Sequence, residues 1–325
     1  MTVTSKQTKT QKLINCSIAS GEGESQSQGK DMALINKILN ILLPIVTVSF
    51  LLVFMPFSIF FKLLGFIRRC KESEKVDGKV VIITGSSSGI GEHLAYEYAR
   101  RGAYLTLVAR REDRLQVVAD RCRKLGSPDV TVSVIEDCKR FVQETISRFG
   151  RLDRLVNNAG IAEAKFFDDY SEISDVLPIV NTNFWGPVYA THFAIPHIKK
   201  TKGKIIAVAS PAGWSGVPRM SIYAASKAAM INFYETLRIE LHPEVGVTIV
   251  FPGLIENGNT NSDLLAEKQE WSQVVAIESA AVCAKAVVNG ICRGKTFVAE
   301  PSWVRVLFWL SAICPELLIS KPKRN

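Results

Sequence analysis

Residues 80–91 read Val-Val-Ile-Ile-Thr-Gly-Ser-Ser-Ser-Gly-Ile-Gly, and this stretch decides the fold. Val80 to Ile83 is a short apolar run rich in β-branched residues, the pattern of a strand buried on both faces of a parallel sheet. Gly85, Gly89 and Gly91 follow it, and helical character sets in from His93 to Arg101. Strand, glycine turn and helix in that order can hold a dinucleotide. Glycines let the backbone approach a pyrophosphate, and the first helical turn offers free N–H groups and a partial positive charge. The spacing is Gly-x-x-x-Gly-x-Gly, which differs from the Gly-x-Gly-x-x-Gly form of that fingerprint.

The pattern continues outward. Tyr104–Val108 reads as a second strand and ends at Ala109-Arg110-Arg111. In a doubly wound fold an acid there accepts from the ribose 2′-OH of NAD, whereas arginine pairs with a 2′-phosphate. Arg110 and Arg111 therefore favour NADP(H) over NAD(H). The competing reading is a solvated entry to a helix over Arg114–Leu125. Further strands are predicted at Val130–Val134, Arg154–Val156, Lys204–Ala209, Val247–Phe251 and Thr296–Val298. Asn158, Ala159 and Gly160 follow the fourth strand, and Pro252 and Gly253 follow the sixth. Strands alternating with helices predict an α/β class, a Rossmann-type doubly wound parallel sheet.

Ser221-Ile-Tyr-Ala-Ala-Ser-Lys227 adds a chemical pair. Tyr223 and Lys227 are four apart in a helix-favouring stretch, so they share a helix face. An ammonium beside a phenol favours the phenolate, so Lys227 is expected to bring Tyr223 toward working pH.

Together these segments resemble the short-chain dehydrogenase/reductase family. Thr84 to Gly91, Asn157 to Gly160, Ser210, Tyr223, Lys227 and Pro252-Gly253 carry the resemblance across about 170 residues in the family's order. Asn183-Phe-Trp-Gly186, Ala109-Arg-Arg111 and the apolar N-terminal segment are similar to the 11β-hydroxysteroid dehydrogenase-like branch, which includes the steroleosins. The resemblance implies that Tyr223 is the general acid/base. Lys227 would assist it and bind the nicotinamide ribose, and Ser210 would orient the substrate oxygen. Asn183 would hold a water linking Lys227 to solvent. Gly85, Ser87, Ser88, Gly89, Ile90, Gly91, Arg110, Arg111, Asn158, Ala159, Gly160, Pro252 and Gly253 would bind cofactor with Tyr223 and Lys227. The implied activity is hydride transfer between NADP(H) and a hydroxyl or keto group of a hydrophobic substrate, a steroid by resemblance. A ketoacyl or ketosphingoid substrate is the alternative, and a non-catalytic lipid-droplet coat protein is the rival from another class. The rival is motivated by one departure. Relatives carry a Gly-Asp-Val-like segment after the third strand, whose acid contacts the adenine. Here Val134 runs almost directly into Ile135-Glu-Asp-Cys-Lys139 and a helix expected over Asp137–Arg148, about five residues short for connections that usually need two to six. Asp137 is the substitute acid on offer.

Ile38–Phe61 has no charged residue over about 24 positions, enough to span a bilayer core of roughly 30 Å. It is read as an uncleaved anchor, either a spanning helix or, because of Pro44 and Pro56, a hairpin in a lipid monolayer. Endoplasmic reticulum and lipid droplet are the expected locations. The division is a disordered extension over 1–31, an anchor over 32–75, the oxidoreductase domain over 76–300 and an apolar tail over 301–325. Residues 257–271 are expected to form a lid or a surface loop. The tail, Trp303 to Leu310, has three open placements: over the substrate mouth, in the membrane interface, or against a partner subunit in a homodimer. Phe184, Trp185 and Trp214 suggest a bulky apolar substrate or core packing. The net charge of +9 is dispersed among acids, with no basic helix suited to nucleic acid. Seven scattered cysteines and four histidines show neither a disulfide framework nor zinc spacing, so no metal is expected.

Overall fold

The computed structural model describes residues 32, 35–61, 64, 73–134, 137–256 and 277–314. Readings that concern 1–31, the 135–136 link, the 257–271 lid or the end of the tail lie outside these residues. The chain divides into two units, Met1–Lys71 and Glu72–Asn325.

In the first unit, Ile35–Phe61 forms one helix, α1, of 27 residues with mean hydropathy 2.6 in its most apolar window. It runs unbroken through Pro44 and Pro56. At 1.5 Å per residue it measures about 40 Å, more than the hydrocarbon core of a bilayer.

The second unit holds seven strands: β1 Val80–Thr84, β2 Tyr104–Val108, β3 Val130–Ser133, β4 Arg154–Asn157, β5 Lys204–Val208, β6 Gly246–Pro252 and β7 Phe297–Glu300. Their order is β3-β2-β1-β4-β5-β6-β7 and every pairing is parallel. Alternation along β1 explains why the strand is apolar throughout. Val81 and Ile83 enter a core beneath α2 (Gly89–Ala99), α3 (Glu112–Leu125) and, later in the chain, the Ala280–Cys292 helix. Val80 and Ile82 enter the opposite core, beneath α4 (Cys138–Phe149) and the helices that follow. Those are α6 (Gly186–Thr201) and α7 (Ser221–Glu240), preceded in the chain by the short helix α5 (Leu177–Val180). Ala280–Cys292 is then α8, and Val304–Ile313 is α9. Strand order reverses between β1 and β4, which opens a crevice at the strands' C-terminal ends.

Two local findings differ from expectation. Helix α2 begins at Gly89, not His93, so two of the glycines belong to its first turn. Between α5 and α6 the chain makes a π-helical turn over Asn181–Trp185, which the sequence did not announce. The approach to α4 resolves one sequence question. β3 stops at Ser133, and the Asp137 carboxylate accepts from Lys139 N at 2.9 Å and Arg140 N at 3.3 Å. Asp137 is thus the helix cap, with Oδ1 taking both bonds. Replacing it with Ala is expected to cost about 1 kcal/mol of stability in denaturant unfolding. An unchanged midpoint would mean that the cap carries no weight.

Candidate active site

A cavity of about 1400 Å³ lies along the crevice. At one end the glycine turn forms its wall. Gly85 takes φ +66, and a Cβ there would lie 2.8 Å from Ala159 Cα. A Cβ on Gly91 would lie 2.3 Å from Gly85 O and 2.4 Å from Asn158 Nδ2. Both positions therefore require glycine, and Gly85, Ser87, Ser88, Gly89 and Ile90 border the cavity at the start of α2. These features fit a pyrophosphate.

The turn is held by side chains. Asn158 Nδ2 donates to Thr84 O at 2.9 Å and to Gly85 O at 3.3 Å. Thr84 Oγ1 accepts from Asn158 N at 3.0 Å and Ala159 N at 3.1 Å, and donates to Val156 O. Asn158 thus works mainly as a brace between β1 and β4. Arg111 donates to Ser87 Oγ at 3.0 Å and Ser88 Oγ at 2.9 Å, tying the end of β2 to the same turn. Arg110 is exposed on the cavity wall. Among the described residues, no acid lines that part of the cavity.

Further along, Ser210, Tyr223 and Lys227 line the same cavity. Ser210 Oγ accepts from Ala212 N at 3.2 Å and hydrogen-bonds the Tyr223 phenol. Lys227 is buried and its Nζ donates to Val208 O at 3.0 Å. Asn183 is fully buried, with Oδ1 accepting from Ile161 N and Nδ2 donating to Ile161 O and Ser226 Oγ. A Cβ on Gly160 would lie 3.2 Å from Asn183 Oδ1 and 3.4 Å from Lys227 Nζ. The two side chains therefore border one small space, as a water relay between them requires. Gly253 N donates to Glu300 O, which fixes the Pro252-Gly253 turn against the end of β7.

The electrostatics correct one expectation. Tyr223 faces the cavity, yet it sits deep enough that desolvation raises its phenol above the ordinary value. The Ser210 hydrogen bond opposes this and is the smaller influence. In this structure desolvation outweighs any pull of Lys227 on the phenol. The lysine Nζ is turned to the Val208 carbonyl, 5.8 Å from the centre of the tyrosine ring. Burial also takes the ammonium itself down to about 8.

The tail contributes the apolar end. Trp303, Val304 and Leu307 line the cavity, while Val306, Trp309 and Ile313 on α9 are exposed. Of the three aromatic residues read from the sequence, only Trp185 lines the cavity. Trp214 stacks on Phe251 at 3.8 Å and Phe184 packs on Phe233, so both serve the core. Thr84 and Val208 are among the cavity residues to which the sequence assigned no role, whereas the tail's placement over the cavity was one of the three left open. Thr84 stood in the quoted motif, but its partners become visible only once β4 lies beside β1.

Comparisons with known proteins agree with this geometry. The profile of a family described as short chain dehydrogenase matches residues 79–272. The Arabidopsis thaliana protein named 11-beta-hydroxysteroid dehydrogenase-like 4A is 93% identical over 299 positions, covering 90% of this chain and all of that protein. Two solved structures share the fold. One is a short chain dehydrogenase/reductase from Burkholderia phymatum in complex with NAD, at TM-score 0.66 and 24% identity, covering 77% of this chain and 99% of that one. The other is an alcohol dehydrogenase from Thermococcus sibiricus complexed with 5-hydroxy-NADP, at TM-score 0.60 and 25% identity, covering 69% and 95%.

The buried lysine has a measurable consequence. Its folded-state pKa lies below the ordinary 10.5, so between pH 8 and 10.5 the unfolded chain holds this proton more tightly. The penalty is full below pH 8 and is relieved as pH rises through that window. Wild type should therefore gain on Lys227→Met by roughly 3 kcal/mol from pH 7.5 to 10.5 in denaturant unfolding. A constant difference across that range would contradict the burial effect.

Proposed function

The chain belongs to the short chain dehydrogenase family of oxidoreductases, and from that premise we propose that it moves a hydride between NADP(H) and a hydroxyl or keto carbon of a hydrophobic substrate. The observation that carries this reading is that one cavity is lined by the glycine turn, by Ser210, Tyr223 and Lys227, and by Val304 and Leu307 of α9. The cofactor, when bound, supplies or accepts the hydride at its nicotinamide. The protein's part is to bind, orient and move a proton.

Gly85 to Gly91 would hold the pyrophosphate, with Ser87, Ser88 and Ile90 around it and Asn158, Ala159, Gly160, Pro252 and Gly253 completing the wall. Arg110 would pair with a 2′-phosphate, and Arg111 would keep the serines of the turn in place. Ser210 would orient the substrate oxygen. Tyr223, held neutral by burial, is ready to donate to that oxygen in the reducing direction. Lys227 carries its charge below about pH 8, where its ammonium would steady the phenolate left behind. Asn183 positions Ile161 and Ser226 and would return the proton to solvent through the space beside Gly160.

A steroid is the favoured substrate. The similar Arabidopsis protein is named for hydroxysteroid dehydrogenase-like character, and Trp303, Val304 and Leu307 offer a broad apolar wall. A long-chain keto compound fits the same chemistry. The anchor is assigned to 32–75 around α1, the oxidoreductase domain to 76–300 and the tail to 301–325, on an endoplasmic reticulum or lipid-droplet surface. The competing coat-protein reading draws on the short passage from β3 to α4 and on Asp137 acting as a cap.

Three experiments test these proposals. Tyr223→Phe should abolish NADPH-dependent reduction of a ketosteroid while NADPH affinity holds; unchanged turnover removes the acid/base role, and NADPH binding undetectable at millimolar concentration favours the coat protein. Arg110→Ala should weaken NADPH by about tenfold or more and leave NADH affinity unaltered. Equal losses for the two nucleotides would refute the 2′-phosphate assignment. Expressed with microsomes, the full chain should resist alkaline carbonate extraction and the chain lacking residues 1–71 should not. Release of the full chain would end the anchor reading.

A further inference from the structure

Among the described residues, two non-glycine positions take positive φ: Lys202 at 47° and Arg219 at 62°. Lys202 is the left-handed cap that ends α6. Arg219 has no such local reason. It lies four residues before Tyr223, just outside α7, where a glycine would adopt the backbone without strain. An arginine kept there implies that its side chain is needed.

Its contacts indicate what for. Arg219 O accepts from Lys165 N at 2.7 Å. Its guanidinium donates from NH2 to Ala164 O at 3.2 Å and lies over the Phe166 ring at 5.7 Å. All three contacts reach one segment, the loop that leaves β4. That loop is stiffened beyond the contact by Lys165 over the Tyr170 ring at 4.5 Å and by Tyr170 OH donating to Glu163 at 3.3 Å. Arg219 Nε is buried and has no hydrogen-bond partner among the described residues. Strained backbone and an unmatched donor thus coincide at one residue, a combination that surrounding structure must hold in place.

Both of the segments joined contribute to the lining of the cavity. Ile161 and Ala162 line it from the β4 side, and Gly216, Val217 and Met220 line it from the α7 side. We propose that Arg219 is a positioning residue that straps residues 161–170 to residues 215–220 and so sets the width of the substrate end of the cavity. The inference rests on reading that cavity as a dehydrogenase site. It adds the specificity element: with the strap intact the walls stay at a spacing that grips a bulky ring system, and with it cut they part. Small substrates, which never touch both walls, should be indifferent.

Arg219→Gly separates side chain from backbone, because glycine accepts φ 62° and Lys165 N keeps its acceptor. If that chain does not fold, Arg219→Asn, which also tolerates positive φ, takes its place. Amide hydrogen exchange on wild type and variant comes first, without substrate. Exchange over 161–170 should accelerate at least about fivefold in the variant while the sheet is unaffected. Kinetics with NADPH follow, using a four-ring ketosteroid and cyclohexanone. KM for the ketosteroid should rise about tenfold or more, while KM for cyclohexanone, kcat and NADPH affinity hold within about twofold. Unaltered exchange over 161–170 overturns the strap. Faster exchange with an unmoved KM for the bulky ketone overturns its role in setting cavity width. If wild type reduces neither ketone, the dehydrogenase reading is what fails, and the exchange result alone decides whether the strap exists.

Discussion

The hydroxyl of Thr84 and the amide of Asn158 tie the ends of β1 and β4 together where the strand order reverses, and the rest of the cleft depends on that tie. Parallel strands alone leave a crevice with loose backbone ends at this point. Here the Thr84 oxygen takes two backbone N–H groups and gives its own proton to Val156 O, while Asn158 Nδ2 takes two carbonyls. Gly85 and Gly91 follow from this, since any Cβ would strike the clamped backbone or the Asn158 amide. With the turn fixed, α2 starts against the cavity, and Tyr223 and Lys227 line the same cavity from α7.

The pair on α7 shows how burial outweighs sequence spacing. Tyr223 and Lys227 do share a helix face, as i and i+4 residues must. Yet the phenol is raised and the ammonium lowered, because each lies in a setting that disfavours its charged form and Lys227 turns to the Val208 carbonyl. A neutral phenol is a proton donor in waiting. The lysine, near 8, is poised to change its charge within the working range.

Much of the fold was legible because its signals are local. Each strand is a short apolar run, and the order of strand, glycine turn and helix fixes a doubly wound sheet. Residues of the cleft were legible where a residue type has a narrow use, as with the glycines or the Tyr-Lys spacing. The start of α2 was misread because glycine usually weakens a helix, whereas Gly91 is demanded by a neighbour 67 residues away in sequence, Asn158. The π turn at Asn181–Trp185 has no period of its own, and Arg219 looked like any surface arginine until its backbone angle was known. The tail's position at the cavity was hidden for the same reason. Val304 packs on Gly253 and helps to line the cavity, a contact between residues that no sequence pattern links.

The central claim is that nucleotide held at the glycine turn presents its reactive ring to the substrate beside Tyr223. Isotope transfer tests it most directly. Wild-type protein given NADPH deuterated at the transferring position of the nicotinamide, together with a ketosteroid, should yield an alcohol carrying deuterium on its carbinol carbon. Alcohol formed without the label, or no alcohol despite saturating NADPH binding, would contradict the account.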